Sequence, residues 1–245
     1  MVPAHARLWR ERVTGTATQS TDKTALRDAA TIIVMRDPAH NPRVLMGQRG
    51  HSAAFMPGKF VFPGGAVDPN DAMVPLAPLS ARTAQDLGTE STALPQALAA
   101  AAVRELWEET GQILGLRQDW AEAPAGWRGF AAKGYIPNGS ALRFFFRAVT
   151  PKGNPRRFDA RFFLVNAADL STDPDDFSNA EPELSHLQWV PLSEARHFDL
   201  PFITQVVLAE LVADLRRDGP PPPVPFFRND DEAHLVARLG GLSLL

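Results

Sequence analysis

Three glutamates in the stretch RELWEETG, Arg104 to Gly111, stand at positions i, i+3 and i+4: Glu105, Glu108 and Glu109. On a helix this spacing puts all three carboxylates on one face. At 1.5 Å of rise per residue they fall within about 6 Å along the axis. Like charges so close repel one another, and the last turn of a helix, closed here by Gly111, is where the helix dipole disfavours anions. A hard divalent cation that takes oxygen ligands, Mg2+ or Mn2+, relieves both costs. Arg104 can orient one carboxylate or neutralise Glu108 four residues on. The competing reading is a solvated acidic face on a surface helix.

A second stretch, FPGGAVDPND, Phe62 to Asp71, supplies the complement. Gly64 and Gly65 follow the apolar run KFVF, so a bare backbone is open to close approach by a ligand, and the Gly64 carbonyl is a candidate metal ligand. Positions 72–103 separate the two stretches.

The elements that must hold these residues follow from the pattern. AATIIVMRD (29–37) and RVLMGQR (43–49) read as strands joined by a turn through Pro38, Asn41 and Pro42. KFVFPGG (59–65) is a short strand broken by Pro63-Gly64-Gly65. SARTAQDLG predicts a short helix capped by Ser80 and stopped at Gly88. From Leu94 to Thr110 the chain reads as a strong helix, with Pro95 in its first turn, an Ala/Leu run over 97–102 and Gly111 just past its end. LRFFFRAVT (142–150), RFDARFFLVNA (157–167) and ELSHLQWVPL (183–192) read as strands, and PFITQVVLAELVADLRR (201–217) as an amphipathic helix. Residues 1–27 read as a polar leader, and 219–245 as a Pro-rich linker and tail around Pro220 to Pro223. Strands and helices mix without strict alternation, which predicts an α+β fold with a mixed sheet between helical layers.

Both stretches together resemble a family. Its pattern is Gly-x5-Glu-x7-Arg-Glu-U-x-Glu-Glu-x-Gly-U, with U aliphatic, the signature of the Nudix hydrolases. Gly65 and Asp71 are similar to the first half, and Arg104 to Gly111 matches the second. Asp71 stands for the first Glu and Gln112 for the final aliphatic. The gap of 32 residues, where the family has 7, amounts to about 25 inserted residues. A loop lengthens at small cost, about 0.6 kcal/mol per doubling, so the segment 72–93 is expected to be a lid or a wall of the substrate pocket.

Further upstream, LMGQRGHSAAFMPGKFVFPGG resembles the additional motif of Nudix coenzyme A diphosphatases. Arg49, Gly58, Phe62, Pro63, Gly64 and Gly65 fall in register, whereas Gly47, Gly50 and Ala54 stand for its Thr, Ser and second Arg. The resemblance covers about residues 28–215. It implies a Nudix-type α/β/α sandwich over 28–218 and cleavage of a diphosphate bond with Mg2+ or Mn2+ as cofactor. It implies Glu105, Glu108, Glu109 and Gly64 as metal ligands, and Glu105, Glu109, Glu183 and Arg104 as catalytic residues. Arg49, Gly65 and Phe62 are the implied substrate contacts. CoA or acyl-CoA is the leading substrate, and ADP-ribose, NADH or another nucleoside diphosphate derivative the alternative.

Glu183, six residues before Trp189, is the candidate extra carboxylate or general base, with Glu181 as its neighbour and a solvated loop acid as the plain alternative. Arg49 can grip a diphosphate with its planar fork or be a strand-edge charge. Arg157, Asp159 and Arg161 alternate on one strand face and read foremost as an ion-pair ladder. Phe144 to Phe146 read as core aromatics, and His51 as an ordinary loop residue.

Composition narrows the classes. The 245 residues are 44% hydrophobic and 22% charged, with a net charge of −3, so no global basic field draws nucleic acid or an anionic membrane. The absence of cysteine removes disulfides and thiolate chemistry. Neither a secretory signal nor a run of about 18 apolar residues is apparent, nor a C-terminal SKL address, which predicts a cytoplasmic protein acting on a small molecule. A homodimer is left open. A catalytically silent nucleotide-binding or regulatory module is the rival class, and retention of three mutually repelling glutamates argues against it.

Overall fold

The structure, a computed structural model, describes residues 25–53, 55–229 and 237–238. Ala54, residues 1–24 of the leader, and 230–236 and 239–245 of the tail lie outside the described residues. In chain order the elements are β1 (Leu26–Arg36), β2 (Arg43–Arg49), β3 (Phe60–Val61), β4 (Gly64–Ala66), α1 (Ala81–Gly88), α2 (Pro95–Thr110), β5 (Gly115–Arg117), α3 (Arg128–Ala132), β6 (Tyr135–Pro137), β7 (Arg143–Val149), β8 (Arg157–Asn166), β9 (Leu184–Pro191), α4 (Phe202–Leu215), β10 (Pro225–Phe227) and β11 (Ala237–Arg238).

The central sheet is mixed, in the order β11-β10-β7-β8-β1-β2-β3. β1 runs parallel to β8 from Leu26↔Arg157 to Met35↔Asn166. Its other edge is shared. β4 pairs with its first half, Ala30 opposite Gly65, and β2 pairs only with its end, Met35 opposite Val44. β2 splays away toward β9, and the chain through Pro63 enters the gap, where the Pro63 carbonyl accepts from the Ile32 N–H. This gap brings the paired glycines to the middle of the fold.

Helices cover both faces, and the architecture is the α/β/α sandwich of α+β class that the sequence predicts. On one face α2 is sealed: Leu98 to Val103 and Leu106 are wholly buried. Four consecutive alanines, Ala99 to Ala102, let the sheet and α1 approach closely, and they carry high helix propensity. Pro95 opens this helix and Gly111 ends it in the left-handed region, with φ 72°. On the other face α4 buries Thr204, Val207, Leu208 and Leu211, at helical spacing, against Ile33, Met46, Phe146 and Phe162. No helix among the described residues is long and apolar enough to cross a membrane.

Two segments are held more closely to the body than their composition suggests. Residues 72–93 carry the expected short helix, α1, and pack against α2. Val74 and Leu87 are buried in one core with α2, Ala77 is also buried, and Ser80 caps α1 by accepting the Thr83 N–H at 3.1 Å. The segment is tied to the start of α2 by Gln96 Nε2 on the Val74 carbonyl and to β7 by Thr83 Oγ1 on the Leu142 carbonyl. Burying a Leu side chain alone contributes about 1.5–3 kcal/mol, which an open excursion would forgo. The tail is also not wholly separate. β10 lies parallel to β7, with Phe226 and Phe227 buried, because the edge of β7 is otherwise free to pair.

Candidate active site

The last turn of α2 lies against the β4 glycines. A Cβ on Gly65 would fall 2.5–2.6 Å from the Glu105 carboxylate, so only glycine lets that carboxylate rest on the backbone. A Cβ on Gly64 would fall 2.6 Å from the Ala30 carbonyl oxygen across the strand pair. The Gly64 N–H donates to Glu109 Oε2 at 2.8 Å. Glu109 is only 2% exposed, and its Oε1 is buried without a hydrogen-bond partner. The nearest cation to that oxygen is Arg49 Nη1, at 4.0 Å.

Arg104 is the hub beneath the cluster. Its Nη1 donates to Glu105 Oε1 and Glu108 Oε2, both at 2.8 Å. Its Nε and Nη2 grip Asp71 in bidentate fashion at 3.0 and 3.1 Å, and Nη2 also reaches the Ala66 carbonyl. Arg49, at the end of β2, donates to Glu183 Oε1 at 2.8 Å just before β9. Five carboxylates, Asp71, Glu105, Glu108, Glu109 and Glu183, thus face two guanidiniums.

The carboxyl pKa values shift with this imbalance. Burial pushes the Glu105 carboxyl up to about 7, against the pull of Arg104, with the Glu108 and Glu183 charges adding to the rise. Glu109 is raised well above the carboxylate range, first by burial and then by the Glu105 charge, while the Gly64 N–H and Arg49 oppose. Burial also raises Glu108, against Arg104. Burial acts to lower Arg104, but the Asp71 hydrogen bond and the surrounding carboxylates hold it above its ordinary value.

The donor set fits a hard divalent cation: several anionic oxygens, one of them orphaned and buried, with too little positive charge nearby. The three helix carboxylates do not converge as they stand. Among the described residues no three acidic or histidine side chains meet in ligating geometry, because Arg104 Nη1 fills the space between Glu105 and Glu108.

No family model matches the chain. A curated Caenorhabditis elegans protein named nudix hydrolase 7 is 31% identical over 181 residues, 69% of this chain and 52% of that protein. The chain therefore spans about half the length of that curated relative. The crystal structure of a NUDIX hydrolase from Alicyclobacillus acidocaldarius is 32% identical, covers 78% of this chain and 92% of that one, and superposes with a TM-score of 0.59. The chain belongs to the Nudix hydrolase family.

In this Nudix chain the candidate residues Glu105, Glu108, Glu109, Gly64, Gly65, Arg104, Arg49 and Glu183 are brought together. Phe62 is not. It is 4% exposed and packs in the core beneath α4, so it supports the glycine turn from below and leaves no surface for a substrate. The predicted ladder on β8 is present but buried. Arg147 grips Asp159 at 2.7–2.9 Å, and Arg161 reaches Asp28 at 2.5 Å and Asp159 at 3.2 Å. Arg157 turns instead to the Thr150 carbonyl.

Sequence reasoning missed two residues beside the Nudix cluster. Gln112, the polar departure from the motif, is fully buried. Its Nε2 donates to the Asp173 and Asp176 carbonyls and its Oε1 accepts from Thr172, which pins the loop leading to Glu183. The Glu181 N–H donates to the Glu108 carbonyl and ties the same loop to the end of α2. Trp127 donates its indole N–H to Asp71 Oδ1 at 3.1 Å. The signal for both lay in chemistry rather than spacing: a buried amide or indole must find a partner.

Proposed function

We propose that this Nudix chain hydrolyses the diphosphate bond of a nucleoside diphosphate derivative, with CoA or an acyl-CoA as the leading substrate and Mg2+ or Mn2+ as cofactor. The observation that carries the reading is the buried Glu109 with its unpartnered Oε1, set among five carboxylates and only two guanidiniums. Glu105, Glu108 and Glu109, with the Gly64 carbonyl, would hold the ion. Bound there, it would neutralise diphosphate charge and ionise or orient water.

The chain's own residues supply the rest. Arg49, whose Nε is buried without a hydrogen-bond partner, offers a planar fork to diphosphate oxygens beside Glu109 and Glu183. Arg104 keeps the helix glutamates in place. Glu183, 57% exposed at its side chain, accepts the proton as water attacks one phosphorus in line and the bridging P–O bond breaks. A nucleotide and a second phosphate monoester leave. The catalytic unit of this reading spans residues 28–218 together with β10, in a cytoplasmic setting. The core packing of residues 72–93 supports a box interrupted by a structural insertion rather than by a mobile flap.

Another nucleoside diphosphate derivative, of ADP-ribose or NADH type, is the second reading. It is favoured by the absence of a second arginine from the upstream motif, where Ala54 stands. The test is a panel of CoA, acyl-CoA, ADP-ribose and NADH with Mg2+, with Mn2+ and with EDTA, the products resolved by mass. Cleavage of CoA to two phosphate monoesters only when metal is present is expected. Preference for ADP-ribose selects the second reading, and no cleavage of any diphosphate overturns both.

A further inference from the structure

The Asp71 carboxylate accepts four hydrogen bonds, two on each oxygen. Oδ1 takes Arg104 Nε at 3.0 Å and Trp127 Nε1 at 3.1 Å; Oδ2 takes Arg104 Nη2 at 3.1 Å and the Asp68 N–H at 2.8 Å. Asp71 is wholly buried and Trp127 is 1% exposed. The terminal torsion of an aspartate is soft and roughly two-fold, so a carboxylate held by one arginine alone can swing about its own axis. Here the indole and the Asp68 N–H pin the two outer positions. The inner pair is left facing Arg104, and the third guanidinium nitrogen, Nη1, is turned to Glu105 and Glu108.

The indole is itself fixed. Trp127 packs edge-on against Phe130, with ring centroids 5.4 Å apart, and tilted against Trp120 at 5.9 Å. The same loop passes close over the acidic cluster. A Cβ on Gly126 would stand 3.6 Å from both Arg104 Cδ and Glu108 Oε1. A donor 56 residues from Asp71 in sequence thus closes a chain of contacts, from the aromatic cluster through Asp71 and Arg104 to the carboxylates.

We propose that Trp127 is a positioning residue. Through Asp71 it sets the register of the Arg104 fork, and through that fork the placement of Glu105 and Glu108; its consequence for turnover rests on the diphosphatase reading above. Trp127→Phe keeps an aromatic ring and removes only the N–H donor.

The test has two arms on the full chain. In the first, 15N NMR follows the Arg104 Nε–H and the Trp127 indole N–H without metal or substrate. In the wild type both exchange slowly with water, and in Trp127→Phe the Arg104 Nε–H exchanges at least about 10-fold faster, as expected when a hydrogen bond to a charged group is lost. In the second, Trp127→Phe lowers kcat about 10-fold with KM within about 2-fold, the pattern of a lost orienting contact rather than lost binding. Trp120→Phe, which keeps an aromatic ring against Trp127 and removes only an indole N–H with no part in the Asp71 contacts, leaves Arg104 exchange and the kcat-to-KM pattern unchanged. A Trp127 indole that exchanges freely in the wild type overturns the proposal even if Trp127→Phe fails to fold. An unchanged Arg104 signal in a folded Trp127→Phe overturns it as well. If the wild type cleaves no diphosphate, the diphosphatase reading fails, and the NMR arm alone decides the role of Trp127.

Discussion

Two buried charge clusters lie in one molecule, and they are built to opposite rules. On β8 and its neighbours, Arg147 and Arg161 meet Asp159 and Asp28, two cations against two anions. At the end of α2, five carboxylates meet two arginines, and one buried carboxylate oxygen has no hydrogen-bond partner. Removing charges from water is costly, and only good pairing offsets that cost. The balanced cluster matches its charges, leaving only Arg161 Nε without a hydrogen bond, and it fastens the ends of three strands. The unbalanced one is incomplete without another cation. Carboxylate pKa values raised beside the β4 glycines express the same deficit. Buried charge therefore does not by itself mark a functional site; uncompensated buried charge does.

The largest effect that separates the two clusters is on turnover. Glu109→Gln removes a buried anion from the unbalanced site and is expected to lower kcat on the preferred diphosphate about 1000-fold at saturating Mg2+, while the fold persists. Near-normal turnover would take Glu109 out of the metal-ligand set. At the balanced site the same kind of change acts on stability. Asp159→Asn leaves Arg147 and Arg161 buried beside each other, which costs about 3–5 kcal/mol in urea unfolding, with kcat of the folded protein unchanged. A comparable loss of kcat would make the ladder part of the catalytic apparatus.

A change remote from both clusters sharpens the contrast. Leu87→Ala in α1 should cost about 2–4 kcal/mol through the cavity it leaves, with the ratio of kcat/KM for CoA and ADP-ribose unaltered. An altered ratio at unchanged stability would make the segment a wall of the substrate pocket. The smallest effect is on pH. Glu105, raised to about 7, and Glu109, shifted in the same direction by burial, hold protons in the folded state that the unfolded chain releases near 4.5. Where the folded state binds more protons, stability falls as pH rises. Through Glu105 alone, metal-free protein should therefore lose about 2 kcal/mol between pH 5.5 and 8, Glu109 adds to the loss, and saturating Mg2+ should flatten that slope. Denaturant unfolding at the two pH values, with EDTA and with Mg2+, measures it. A metal-free slope of zero or of opposite sign would contradict the assigned burial.

Much of this was legible in the chain itself. Pro95 and Gly111 mark the bounds of α2 because each suits a helix end for a local reason, a fixed φ and a left-handed one. The glutamates are legible because their spacing alone puts them on one face. The segment 72–93 misleads because its Ala, Pro and Ser composition looks like a loop. Its contribution to the core rests on Val74, Ala77 and Leu87, which keep no helical or strand period. β5, α3 and β6 are too short, at three to five residues, for periodicity to appear. β10 follows a proline run that reads as linker, and it becomes a strand only because a β7 edge lies beside it. Phe62 was misplaced because a strand pattern tells that faces alternate but not which face meets the core. The Trp127–Asp71 contact joins residues 56 apart and has no local trace.

Electron paramagnetic resonance of Mn2+ at pH 7.5 tests the central claim most directly, with wild type, Glu109→Gln and Asp159→Asn titrated side by side. Uncompensated charge at the end of α2 predicts saturable Mn2+ binding by the wild type and by folded Asp159→Asn, and loss of at least about 10-fold in affinity for Glu109→Gln, as expected when one anionic ligand is removed. Equal Mn2+ affinity in Glu109→Gln and wild type would contradict it.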